Sequence, residues 1–329
     1  MLKATNDSSQ QKEKPMKNEI ITDPVIKRAR RTKKLTRVRK NIFTAASFIM
    51  LSALAVVIIT PILLTVTNAF MSSSEISSNY GQVFSNLTTK EGSTYIAETV
   101  NLKIIPDTVV FDQFLTILIK SPTYIIKFWN SLMYCVPIVV FQLVVALGAA
   151  YGFARFEGGL RSIVFFVYII LMLMPYQVTL VPNFIVADML GILNTRWAII
   201  LPGVFSPFAV FILTRFMRRI PHSLIEAAKL DGAGEWRIFR HICVPMSSSI
   251  VYSCAILIFI DYWNMVEQPL IMLNDPETHP LSVFLSNLNT ADTGIAFAAA
   301  TVYMIVPMLM FLYSEDYLVE GISYSGGIK

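Results

Sequence analysis

The sequence predicts an all-α polytopic membrane protein of six transmembrane helices, with a cytoplasmic helix–turn–helix element between the fourth and the fifth. Three observations predict it. Of the 329 residues, 54% are hydrophobic and 15% charged, against roughly 25% charged in soluble domains. The apolar residues gather into uncharged runs near the roughly 20 residues that a spanning helix needs. Loops rich in Lys and Arg alternate with loops poor in them, the asymmetry that orients membrane helices.

Residues 1–40 read as an N-terminal extension. It is polar and aperiodic to about residue 24, which points to disorder. Lys27, Arg28, Arg30, Arg31, Lys33, Lys34, Arg37, Arg39 and Lys40 then follow without an acid among them. This block alone outweighs the chain's net charge of +5. Placed directly before an apolar run, it marks the cytoplasmic flank of a span rather than a nucleic-acid patch. A surface helix on anionic lipid has the same composition. Residues 41–70 form the first span, longer than the ~7–15 residues of a signal-peptide core, and Pro61 is tolerated there as a kink.

Residues 71–127 are polar, carry only Lys90, Lys103, Lys120 and Lys127 as bases, and belong outside. The stretch is too long for a simple connector, so it reads as a small external module or partner surface. The other five spans lie within 128–313. The second ends before Arg155, Glu157 and Arg161, an inner turn. The third, Ser162 to about Ala187, has Pro175, Tyr176, Gln177, Thr179 and Pro182 in its outer half. Either the helix ends there at the interface, or irregular backbone lies at a depth where protein or water covers it. Trp197–Thr214 is the fourth span, with Trp197 as interfacial anchor. The fifth runs from Met246 to about Val266, with Asp261 and Asn264 near its outer end. Glu267–Gly294 has no Lys or Arg and suits the outside. Ile295–Tyr313 is the sixth, and residues 314–329 form an inner tail.

Cys135, Cys243 and Cys254 show no metal or disulfide spacing and read as small buried hydrophobes. His222, His241 and His279 are scattered. No metal and no cofactor is expected in this chain.

Pro221–Pro245 is a polar, mixed-charge island between two apolar runs. Ser223-Leu224-Ile225-Glu226 spells a capping box, in which the Ser hydroxyl and the Glu carboxylate each take an orphan helix N–H. Gly232, after Asp231, stands where a left-handed helix cap falls. Glu235–Cys243 reads as a second short helix, ended by Pro245. Ala227 and Ala228 let another surface approach the first helix closely, and a helix face in a groove is a known docking mode. Glu226 is left with two roles, cap or contact.

The spacing Glu226-Ala227-Ala228, Asp231-Gly232-Ala233, Ile242-x-x-Pro245 resembles the EAA signature of binding-protein-dependent ABC importer permeases. More of the chain is similar to the carbohydrate branch, typified by the six-span permease subunit of the maltose system. The matching stretches are Phe128-Trp129-Asn130-Ser131-Leu132, Tyr151–Arg155, Gly191–Thr195, Trp263-Asn264 with Pro269-Leu270, and the ending Gly321–Lys329. The acid that usually follows the Trp-Asn pair is absent: Met265 and Val266 stand there.

The resemblance implies a non-catalytic subunit of an ATP-driven sugar importer in the bacterial inner (cytoplasmic) membrane, with both termini cytoplasmic. The implied partners are a second homologous permease subunit, two copies of a cytoplasmic ABC ATPase that binds the ATP and Mg, and an extracytoplasmic sugar-binding protein. Lipid surrounds the spans, and no nucleic acid is involved. Glu226, Ala227, Ala228, Asp231, Gly232 and Pro245 are the expected ATPase-coupling residues. Consistent with a borrowed ATPase, the chain has no P-loop. Asn130, Tyr176, Gln177, Asp261, Trp263 and Asn264 are candidates for the substrate pathway, because polar groups within spans face a protein interior or a cavity. Helix–helix hydrogen bonding is the other use for each. Two further readings stand: a permease of the same class for a non-sugar solute, and a stand-alone secondary transporter, which would want mid-span charge and an internal repeat.

Overall fold

The computed structural model describes residues 24–88, 102–287 and 293–326. The expectations for residues 1–23, for the middle of the external loop and for the last three residues lie outside that range. The described residues are helical, with no strand among them. The chain divides into two compact units, residues 1–61 and 62–329.

The first helix, α1 (Pro24–Asn68), is 45 residues long. It begins within the stretch expected as an extension, so the basic block is helical backbone rather than a loose flank. Its apolar portion is Lys40–Asn68. In the first unit Phe43, Phe48 and Ile49 stand well over half exposed, the surface a lipid-facing helix requires.

In the second unit, the stretch expected outside is a packed module. It contains α2 (Ser73–Thr88) and α3 (Asp112–Leu115), which continues as a π turn through Lys120. Met71, Ile76 and Tyr80 form a small core against Phe297. Buried Glu75 accepts from the Asp107 amide at 2.9 Å and pairs with Lys103 at 3.1 Å. Gln113 donates to the Met71 carbonyl at 2.7 Å. These bonds tie the two ends of the module together.

The membrane core starts with α4 (Pro122–Arg155), whose Pro122 falls at the first helical position, where its missing N–H leaves nothing unpaired. Then come α5 (Gly159–Met172), α6 (Tyr176–Met189), α7 (Trp197–Gly203) and α8 (Pro207–Met217). Two breaks matter. The axis turns by 107° between α5 and α6. There Pro175 has no N–H to continue the ladder and disfavours helical backbone at Met174. Between α7 and α8, Val204–Ser206 interrupts the helix, and the Ser206 hydroxyl accepts from the Ala209 amide at 3.4 Å to start the next. Helix ends at Met172 and resumes at Tyr176 in a new direction.

Next are α9 (His222–Leu230), α10 (Glu235–Ile238), a π turn at Phe239–Cys243, and α11 (Val244–Met246). They are followed by α12 (Ser248–Trp263), α13 (Glu267–Met272), α14 (Leu281–Ser286) and α15 (Thr293–Gly326). The expected inner tail is thus helical to Gly326, since no strong helix breaker follows Pro307 before the glycines near the end. The α4 helix packs against α8 and α12, and α12 against α15. Ser253 clips the last pair, donating to the Tyr317 carbonyl at 2.7 Å. Four described stretches are long and apolar enough to cross a membrane, and there are six if each of the bent pairs α5–α6 and α10–α12 counts as one span.

Candidate functional site

Two regions stand out, a cavity at the helix breaks and the α9–α11 element. The cavity, of about 380 Å³, lies between the start of α6 and the end of α12, and is lined by Tyr176, Gln177, Asp261, Asn264 and Glu267 among others. A second, of about 390 Å³, shares Tyr176, Asp261, Tyr262 and Gln268 with it and reaches Pro202–Pro207. Both helix breaks therefore open on the second cavity, which shares walls with the first. That explains why broken backbone is tolerated there: freed peptide groups at membrane depth need protein or water as partners. Gln177 donates to Glu267 at 3.4 Å across the first cavity. Gln268, buried, reaches the Ala198 and Ile199 carbonyls at 3.4 Å, pinning α13 to α7.

Four of the six residues expected in a pathway, Tyr176, Gln177, Asp261 and Asn264, meet at this cavity. Asn130 and Trp263 lie apart from it. Asn130 is buried and donates to the Glu277 and His279 carbonyls at 2.7 and 3.2 Å while accepting from Arg196 at 3.3 Å. It holds the 276–279 turn, together with Lys127, which donates to the Pro276 carbonyl, and Tyr134, which donates to that of Thr278. Trp263 is fully buried and stacked with Phe259 and Tyr303, with Phe128 edge-on at 5.8 Å. Glu267 and Gln268 were missed as cavity residues. Their signal was a carboxylate and an amide just after the Trp-Asn pair, displaced from the usual acid position.

The Gly191–Thr195 turn is also structural. Gly191 has φ +66 and Asn194 φ +62. The Asn194 side chain accepts from the Asn274 amide at 2.8 Å, and its own amide donates to the Met272 carbonyl. The turn thereby fastens the end of α6 to the end of α13.

In α9–α11, the capping box is not formed. The helix starts at His222 with Pro221 as its cap, and no side chain caps this end. Extended Pro221 shifts the helix start ahead of Ser223, so Ser223 lies inside the first turn. Glu226 is exposed. Gly232 does what its position implies. At φ +78 it closes the helix with two bonds, its amide to Lys229 at 3.0 Å and that of Ala233 to Ala228 at 2.9 Å, the Schellman pattern. Ala227, Asp231 and Pro245 are exposed, and Ala228 packs partly against the core. Pro245 does not end the second helix. The wide π turn before it displaces the carbonyl its ring would strike, and helix runs on to Met246 before a 72° bend into α12.

Glu235 was not expected to matter, yet it joins three elements. Its carboxylate pairs with Lys229 of α9 at 2.7 Å and accepts from the Tyr151 hydroxyl of α4. Tyr151 also stacks edge-on with Phe239 at 5.1 Å. The exposed α9 face, with Glu226, Ala227, Leu224 and Leu230, is thus fastened to the helix that enters the core.

Broken spans around cavities that polar side chains reach, with a latched helical element beside them, are an arrangement that suits a membrane permease. Residues 120–324 match the family of binding-protein-dependent transport system inner membrane components, and the chain belongs to that family. It is 29% identical over 227 residues to an arabinooligosaccharides transport system permease protein of Halalkalibacterium halodurans, covering 68% of this chain and 81% of that one. It is 28% identical over 228 residues to a lactose transport system permease protein of Rhizobium radiobacter, covering 68% and 83%. A crystal structure of a bacterial ABC transporter that imports the acidic polysaccharide alginate has a chain of the same fold. There the TM-score is 0.68 at 19% identity, with 84% of this chain and 96% of that one covered.

Proposed function

We propose that the chain is the permease subunit of an ATP-driven oligosaccharide importer, forming half of the translocation pathway in a bacterial cytoplasmic membrane. The observation that carries this is the pair of adjoining cavities, one lined by both helix breaks and the other by four polar pathway candidates. The sugar-transport names of its relatives support the substrate class. A second permease subunit completes the pathway, an external binding protein delivers the saccharide, and two ATPase subunits supply the energy. The ATP and its magnesium belong to those partners, and this chain contributes motion rather than chemistry.

In this reading the basic loops, including Arg215, Arg218 and Arg219, face the cytoplasm with both termini. The α9 helix seats on the ATPase, with Glu226 offering its carboxylate to a basic residue there. Ala227 and Ala228 permit close approach, and Asp231–Gly232 set the turn. ATPase closure displaces α9, and Glu235 passes the displacement to α4 through Tyr151 and to α12 through the short bend at Ser247. Such transfer requires that the ATPase bind one arrangement better than the other.

The test is reconstitution of the chain with its partner permease, ATPase and binding protein in proteoliposomes. ATP-dependent accumulation of arabinotriose is expected, with loss on Glu226→Ala while the complex still inserts. Accumulation that needs no ATPase subunit would return the chain to the stand-alone transporters.

A further inference from the structure

The first cavity, which adjoins the second, carries a charge pattern that narrows its ligand. Asp261, near the end of α12, and Glu267, at the start of α13, line it together with Tyr176, Tyr262 and the amides Gln177 and Gln268. No Lys, Arg or His lines either cavity among the described residues. Glu267 takes a hydrogen bond from Gln177, which is neutral. An ionisable side chain within a span that faces a cavity marks a ligand or ion path. Hydroxyl groups donate well to carboxylates, and aromatic faces suit the apolar faces of sugar rings. A third carboxylate, brought by a ligand beside Asp261 and Glu267, would meet repulsion that low polarity strengthens.

We infer that this cavity takes uncharged saccharide units and turns away anionic ones, with Asp261 and Glu267 as the specificity-determining pair. The inference rests on the importer reading above. It separates this chain from the alginate transporter that shares its fold and is described as importing an acidic polysaccharide. The fold alone leaves the sign of the cargo open, whereas the cavity lining does not.

The probes are arabinotriose and arabinotrionate, the same trisaccharide oxidised to a carboxylate at its reducing end. Each is dialysed to equilibrium against the detergent-solubilised complete complex without its binding protein, so that only the permease selects. The wild type is expected to prefer arabinotriose by at least about tenfold. The D261N/E267Q pair should bring the two probes within about threefold of each other, and D261E/E267D should keep the preference. If the double amide variant fails to assemble, Asp261→Asn and Glu267→Gln alone should each lower the ratio part of the way. A wild-type ratio near one, or a ratio unmoved by the amide variants, overturns the inference; a cation from the partner subunit neutralising the pair would give that result. A complex that imports arabinotriose but shows an equal ratio sinks this inference alone. One that imports no saccharide sinks the importer reading and the inference with it.

Discussion

Replacing Gly232 by valine probes the turn that shapes the proposed coupling helix. Gly232 sits at φ +78, and nothing lies within 4 Å of where a Cβ would stand. The substitution therefore meets no neighbour, and its whole effect comes from the backbone. An L-residue held in the left-handed region loses about 1–2 kcal/mol, and a β-branched one suffers most. That energy opposes the two bonds closing α9, from the amides of Gly232 and Ala233. A change of this size alters a conformer ratio about 5- to 30-fold, so the turned form that presents Glu226 becomes correspondingly scarcer. The assay is ATP hydrolysed per saccharide accumulated in the reconstituted complex, with insertion followed separately by alkaline extraction. Gly232→Val should raise that ratio several-fold with insertion intact. Gly232→Asn should be mildest, since Asn tolerates the left-handed region. Gly234, at φ −72 with open space around it, is the control, and Gly234→Ala should be close to silent. Wild-type coupling in Gly232→Val, or equal damage from Gly234→Ala, would refute the reasoning.

Asn130→Leu strands the Glu277 and His279 carbonyls, at about 1–3 kcal/mol for a buried group left unpaired. The thermal midpoint of the solubilised complex should drop while transport per folded complex holds; an unchanged midpoint with lost transport would return Asn130 to the pathway. At Gly203 a Cβ would stand 3.0 Å from Ile138, so Gly203→Val crowds α7 against α4 by about 1–3 kcal/mol. Ile138→Ala in the same chain should recover most of the lost stability, and strict additivity of the two would show that they do not touch. Lys103 has its pKa raised above 10.5, by its hydrogen bond to Asp107 first and then by Glu75. Its contribution is therefore complete below pH about 10.5 and fades as pH rises through the higher folded value. Limited proteolysis of the module around Lys103 should stay slow from pH 7 to 10 and quicken only above, whereas Lys103→Met should quicken it at pH 7. An equally slow digestion of that variant would remove the ion pair from the account.

Much was legible in the sequence because it is written locally. Uncharged runs and basic flanks report solvent preference residue by residue, so the membrane helices are marked out without any knowledge of their packing. Gly232 was legible for a similar reason, as a left-handed cap is a property of one residue and its helix. The EAA spacing likewise pointed to the family that the chain belongs to. Local signals also misled. Ser223-x-x-Glu226 has the letters of a capping box, but Pro221 had already started the helix. Pro245 has the letters of a stop, but a π turn absorbs it.

What the tertiary structure alone decided is where each polar side chain within a span points. Asn130 and Trp263 share the composition of pathway residues with Asp261 and Asn264, yet the first pair turns into the bundle and the second to the cavity. That division depends on how α4 and α12 are rotated about their axes, which packing against α8 and α15 sets and no local pattern encodes. The bends depend on packing in the same way. Pro175 and Ser206 permit a break, but only the neighbouring helices determine its direction, and hence that both breaks open on one space. Glu267 reads as a loop acid in the sequence. It joins Asp261 because α13 folds back beneath α7, held there by Gln268.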